Sequence, residues 1–177
     1  MDPAKAAAML GSDKILAEVA AKILRSMDVR KIVSILVSTN ANGQFVIPAE
    51  KAAKALSVLD ADKAAQVIAT IAETTPAPAG KTQDFCLTRA ADIMQAMDAT
   101  KAAMIFASDK VNATTAARIF NKLAADKAAQ ILSVGFTAEE MQDDVRLYKL
   151  YGIPAKKTGA ILQAMDETKA AAILTSD

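Results

Sequence analysis

Along this chain a pair of small residues is followed two positions later by a pair of aliphatic ones, and the pattern returns eleven times. The pairs begin at Ala6, Ala20, Ile32, Ala52, Ala64, Ala90, Ala102, Ala116, Ala128, Thr158 and Ala170. Ala64, Ala65, Ile68 and Ile71 stand at i, i+1, i+4 and i+7, one stripe of a 3.6-residue period. Each unit is therefore predicted to be a short amphipathic helix. Asp28, Asp60, Asp98 and Asp166 precede such stripes and suit the N-cap, where a carboxylate accepts amide protons of the first turn. Met27, Leu59, Met97 and Met165 come one residue earlier, where an apolar side chain packs back on that turn. Pro48 and Pro154 suit the first helical position, which needs no amide donor. Five neighbouring couples of units are 12 residues apart (20 and 32, 52 and 64, 90 and 102, 116 and 128, 158 and 170). That step holds a helix of about two to three turns and a tight corner, so each couple reads as a helical hairpin.

A longer period lies above the short one. Residues 1–14 match residues 97–110 at 8 of 14 positions, an offset of 96. Ala20 and Ala116, and Ile32 and Ala128, keep that offset, whereas Ala52 and Thr158, and Ala64 and Ala170, are 106 apart. A longer insertion in the second copy accounts for the change, after which Ile47-Pro-Ala-Glu-Lys51 matches Ile153-Pro-Ala-Lys-Lys157. Residues 1–96 thus form a first block of five to six short helices, and residues 97–177 a second, incomplete one. The pattern breaks off at Thr175-Ser-Asp177 where earlier copies continue, so the chain is expected to be a segment of a longer repeat protein.

Three insertions interrupt the array. Residues 37–47 carry the turn signal Asn42-Gly43. Residues 72–86, with Pro76, Pro78 and Gly80, read as an exposed linker. Residues 133–151 contain the capping box Thr137-Ala-Glu-Glu140. A further amphipathic helix is expected there through Met141, Val145, Tyr148 and Leu150.

Composition sharpens this picture. Hydrophobic residues make up 53% of the chain, much of it alanine, while aromatics are 4% and tryptophan is absent. Small side chains exclude water only if helix backbones approach closely. With 21 basic and 20 acidic residues the net charge is +1, which argues against a nucleic-acid or anionic-membrane surface. No apolar run approaches the roughly 18 residues of a membrane span, and no signal-peptide pattern opens the chain. Histidine is absent, which removes Ser-His-Asp and Cys-His chemistry and every histidine-ligated metal site. Cys86 is the only cysteine, so no internal disulfide forms and a cytoplasmic setting is compatible. It stands beside Phe85 with no base nearby and reads as a buried thiol.

The unit Met-Asp-x-x-Lys-Ala-Ala-x-Ile-Leu resembles the helical repeats in the cytoplasmic N-terminal domain of the magnesium transporter MgtE. Similar repeats occur in the flagellar switch protein FliG and the stator chaperone MotE. The resemblance implies a right-handed superhelical solenoid with a role in protein contacts. It does not carry over the switch protein's Glu-His-Pro-Gln motif, which needs histidine. Magnesium sensing needs acidic groups gathered at a domain interface, and no residues here match such a set one for one.

The candidate sites are few. Gly80-Lys81-Thr82 ends like a phosphate-binding loop, but Thr75 stands where that loop needs glycine, and a plain linker is the better reading. Glu139, Glu140, Asp143 and Asp144 form one acidic cluster, with Glu140 and Asp144 on one helical face as candidate Mg²⁺ ligands. The simpler reading is a solvated helix start, where negative charge complements the dipole. A lysine precedes the small pair at Lys5, Lys31, Lys51, Lys63, Lys101, Lys127, Lys157 and Lys169, with Arg89 standing in once. In a solenoid, Lys63, Lys101 and Lys127 would stack into a ridge for an acidic partner. Otherwise each pairs with the N-cap aspartate three residues earlier. Phe45, Phe136, Tyr148 and Tyr151 lie in insertions, suited either to a partner interface or to pinning loops on a thin core.

Together these observations predict an all-α solenoid of about twelve short helices built as hairpin repeats. Its expected role is a non-catalytic scaffold that contacts other proteins of a larger, cytoplasmic assembly, such as a motility apparatus or a cilium. No cofactor or small-molecule substrate is expected. The alternative is a Mg²⁺-responsive regulatory domain of a transporter-like protein.

Overall fold

The computed structural model describes residues 3–12, 17–74, 82–134 and 152–176. Each of the eleven sequence units forms one α-helix. In order these are α1 (Pro3–Gly11), α2 (Ala17–Ser26), α3 (Val29–Leu36), α4 (Ala49–Ser57), α5 (Ala61–Glu73) and α6 (Gln83–Ala96). They continue as α7 (Ala99–Ala107), α8 (Ala113–Phe120), α9 (Ala125–Ser133), α10 (Ala155–Ala164) and α11 (Glu167–Leu174). The helix expected through Met141 and Leu150, and the capping box at Thr137, lie outside the described residues.

The predicted caps are in place. The Asp28 and Asp60 carboxylates accept from the Lys31 and Lys63 amides at 2.9 and 2.8 Å. Asp98 accepts from Thr100 and Lys101, and Asp166 from Thr168 and Lys169. Met97, Leu59 and Met165 are buried beneath those turns, as apolar residues ahead of an N-cap should be. Pro48 and Pro154 occupy the N-cap, one residue before the expected first helical position.

Packing departs from the expected hairpins. Every helix from α1 to α9 lies against the helix two places further on. Odd-numbered helices therefore form one row and even-numbered helices another, and the rows meet most extensively between α5 and α6. Of the five couples read as hairpins, α4 and α5 share a modest contact and the other four only marginal ones. The N-cap residues Asp28, Asp60 and Asp98 are extended (φ −72°, −61° and −56°; ψ 155°, 148° and 141°), which breaks the helix direction at those corners.

The core follows from the small pairs. Ala52, Ala53, Ala64, Ala65, Ala90, Ala91, Ala102, Ala103, Ala116 and Ala117 are all buried, which lets the rows close up. Phe106 and Phe120 supply the bulk, their rings 4.6 Å apart between centroids. Burial fades toward the last helices, where Gly159 and Ala171 are exposed. At the two ends Leu10 and Ile173 are buried while Met9 and Leu174 are largely exposed.

The 72–86 insertion is smaller than the pattern indicated. Ala72 and Glu73 complete α5, and residues 83–86 form the first turn of α6, N-capped by the Thr82 hydroxyl. Cys86 is thus a helical residue, buried as expected, rather than part of a linker. In 37–47 Thr39 and Phe45 form an antiparallel bridge around a turn. The Asn40 side chain accepts from the Asn42 and Gln44 amides, and Gly43 takes φ 79°, which glycine tolerates without strain.

Candidate interaction surface

The basic residue ahead of each small pair sits in the third helical position of most helices, close to a corner. From there its side chain reaches across the stack. Lys51 of α4 donates to the Ser12 carbonyl after α1, and Lys63 of α5 to the Arg25 carbonyl of α2 at 2.6 Å. Arg89 of α6 donates to the Leu36 carbonyl at the end of α3. Lys127 of α9 reaches Met97 after α6, Lys157 of α10 reaches Ser108 after α7 at 2.6 Å, and Lys169 of α11 reaches Leu123 after α8. The step is the same each time: a basic group on one helix serves the C-terminal carbonyls of the helix three earlier. Those carbonyls have no intrahelical partner and carry the negative end of the dipole, so a cation is the fitting cap.

Two positions vary the theme. In α8 the equivalent residue is Thr115, buried, whose hydroxyl donates to the Glu73 carboxylate at the end of α5 at 2.5 Å. Asn112 Nδ2 adds a second bond to the same oxygen. In α7 the equivalent is Lys101, which is exposed. The Val58 carbonyl, after the helix three earlier, is instead served by the Arg25 guanidinium at 2.6 Å. Of the three ridge candidates, then, Lys63 and Lys127 have ammonium groups bonded within the fold, and Lys101 presents its side chain to solvent. Lys31 pairs with its own N-cap, Asp28, at 3.4 Å.

Among the described residues Arg89 is the largest buried side chain with a charge. Because α6 begins a turn early, Arg89 lies inside the helix rather than at its rim. Its Nη2 donates to the Ile47 carbonyl at 2.6 Å, so it joins both ends of the 37–47 insertion. The guanidinium carbon stands 4.3 Å from the centroid of the Phe45 ring, which stacks on Phe85 at 4.6 Å. Burial pushes the Arg89 pKa down to about 10, opposed by the nearby Asp92 and Glu50, and the group remains a cation at neutral pH. Burial likewise raises Asp92, an effect that Arg89 opposes, and lowers Lys157, which Asp109 opposes. Phe45 is half-buried in this cluster.

Compared with known proteins, the chain matches no family model, no curated protein and no solved structure.

The remaining candidates are partly out of view. Phe136, Tyr148, Tyr151, Glu140 and Asp144 lie outside the described residues. Among the described residues no three His, Cys, Asp or Glu side chains gather closely enough to hold a metal ion. No described helix is long and apolar enough to cross a membrane. The N-termini of α3 and α5 flank an open groove lined by Asp28, Asp60, Asp62, Lys63 and Lys110, which carries charges of both signs. Sequence reasoning missed the bonds made by Arg25 and Arg89. The one available signal was arginine replacing lysine at position 89, the longer fork that two carbonyls require.

Proposed function

We propose that the chain is a non-catalytic scaffold: a right-handed superhelical solenoid, of the kind found in the MgtE N-terminal domain and in FliG, that holds other proteins of a cytoplasmic assembly. The observation that supports this reading is the regular ladder of contacts. Each helix from α1 to α9 packs on the one two places along, and in six of the eight helices from α4 to α11 a basic residue caps the helix three places back. Such nearest-neighbour order is the mark of a quasi-one-dimensional array, whose product is extended surface rather than an enclosed site. On that surface Lys101 and the insertion residues Phe45, Phe136, Tyr148 and Tyr151 are the proposed contacts, with Lys63 and Lys127 acting chiefly as caps.

Small-angle scattering tests the shape. A compact domain of this length has a radius of gyration of about 16 Å, and the solenoid should exceed about 18 Å. A value at the compact figure would overturn the solenoid. Capture of partners from the native source tests the role: Phe136→Ala with Tyr148→Ala, or Lys101→Ala, should reduce recovery while the helical signal is unchanged. If instead millimolar Mg²⁺ raises the melting temperature, and Glu140→Ala with Asp144→Ala abolishes the rise, the regulatory alternative replaces the scaffold.

A further inference from the structure

Asn42-Gly43 is the one Asn-Gly step in the chain, and it lies in the turn of the 37–47 insertion. The Asn42 side chain is exposed, and no described residue hydrogen-bonds its carboxamide. Gly43, at φ 79°, has no Cβ to shield its amide nitrogen from that carboxamide. A backbone nitrogen can therefore close on the side chain that precedes it.

The turn holds this reaction off. The Gly43 amide donates to the Asn40 carbonyl at 2.9 Å. Asn40 Oδ1 accepts from the Asn42 and Gln44 amides, both at 3.0 Å. The Asn40 amide donates to the Gln44 carbonyl at 2.9 Å, and the Val46 amide to the Ser38 carbonyl at 3.0 Å. Arg89 ties the Leu36 and Ile47 carbonyls at the two ends of this ribbon and covers the Phe45 ring within it. A bonded amide gives up its proton only when its segment opens, so the Gly43 nitrogen is unreactive while the ribbon is closed.

We propose that Asn42 is a deamidation site whose rate is set by the opening of this ribbon, with Arg89 and Phe45 as the clamp. In the open state the Gly43 nitrogen loses its proton to solvent base and attacks Cγ of Asn42. The N–Cγ bond forms, the Cγ–Nδ2 bond breaks, and ammonia leaves with a proton taken from water. Water then opens the resulting cyclic imide at one of its two carbonyls, giving aspartate or isoaspartate. No atom is oxidised or reduced, and water is the only co-reactant. Either product carries a carboxylate, which lowers the net charge from its value of +1. The isoaspartyl form also adds a carbon to the main chain, so Gly43 no longer returns to Asn40 in the same turn. Opening permits the step, and the isoaspartyl product keeps the ribbon open. The inference does not depend on the scaffold reading.

The test is incubation of the whole chain at mildly alkaline pH, followed by peptide mapping and by labelling with an isoaspartyl methyltransferase. The chain unfolded in guanidinium gives the unguarded rate. The folded wild type should convert at Asn42, but at least about tenfold more slowly than the unfolded chain. Phe45→Leu should convert about two- to thirtyfold faster than wild type, the factor by which its lost contacts favour opening. Arg89→Met should also convert faster, and Phe45→Leu decides the matter if Arg89→Met fails to fold. Asn42→Gln, which would have to close a larger ring, should stay unmodified. A folded wild type that converts as fast as the unfolded chain overturns the proposal. So does a folded wild type that never converts, or Phe45→Leu converting at the wild-type rate. An isoaspartyl chain whose amide exchange in residues 38–47 matches wild type overturns the one-way step.

Discussion

Arg89 and Leu36, 53 residues apart in sequence, are joined by a 2.9 Å hydrogen bond from the guanidinium Nε to the carbonyl oxygen. The same side chain holds the Ile47 carbonyl and covers the Phe45 ring. One residue of α6 thus closes the end of α3, the entry to α4 and the loop between them.

Replacing Arg89 with methionine keeps the bulk and leaves two carbonyls without their donor. The expected loss is about 2–4 kcal/mol, from the desolvation of those groups. Arg89→Lys should recover part of it, because an ammonium serves at least one carbonyl. Urea unfolding checks both values, and near-equal stability of Arg89→Met and wild type would contradict the assigned role.

The lysines should separate into two classes. Lys63→Met and Lys127→Met each remove a helix cap and should cost about 0.5–1.5 kcal/mol. Lys101→Met should fall within about 0.5 kcal/mol of wild type, since Arg25 already serves the Val58 carbonyl. The three urea midpoints, measured side by side, decide it.

Phe45→Leu retains an apolar side chain and removes the aromatic face under Arg89 and against Phe85. A loss of about 0.5–2 kcal/mol follows from the cation–π and ring-stacking terms. Amide exchange should rise in residues 38–47 before it rises in α6.

Burial raises the Cys86 thiol above its ordinary value of 9.0. As the pH climbs past 9.0, the unfolded chain gives up a proton that the folded chain keeps. The folded state then binds more protons, so its stability falls with rising pH until the folded-state pKa is passed. Unfolding curves between pH 8 and 10.5 should show this fall in wild type and less of it in Cys86→Ala. Thiol reagents should label native Cys86 far more slowly than the unfolded chain.

The helices were legible because their causes are local. A small pair, an aliphatic pair and a capping aspartate lie within about three turns of one another, and each unit became one helix. How the helices associate was not legible. Ala64 and Ala65 announce a buried stripe but do not say whether it meets α4, α6 or α7. The corner at Met97-Asp98 looks like that of a hairpin, yet the extended Asp98 backbone breaks the helix direction there and α7 packs in the other row. The lysines were misleading for a related reason. Asp60 and Lys63 are spaced as an ion pair, but the first-turn amides engage the carboxylate and the ammonium finds Arg25, 38 residues back. Phe45 was open between interface and local packing, and its pairing with Arg89 depends on a helix more than forty residues away.

The two-helix packing step also limits how such a chain can lengthen. The two copies are offset by six helices, an even number, so each helix of the second copy falls in the same row as its counterpart in the first. Adding or deleting a single helix would send every later one to the opposite row, facing a stripe it was not built to meet. A unit of two, four or six helices keeps every face against a matching one. Parity, rather than unit size, is therefore the rule that any lengthened or shortened version of this chain must obey.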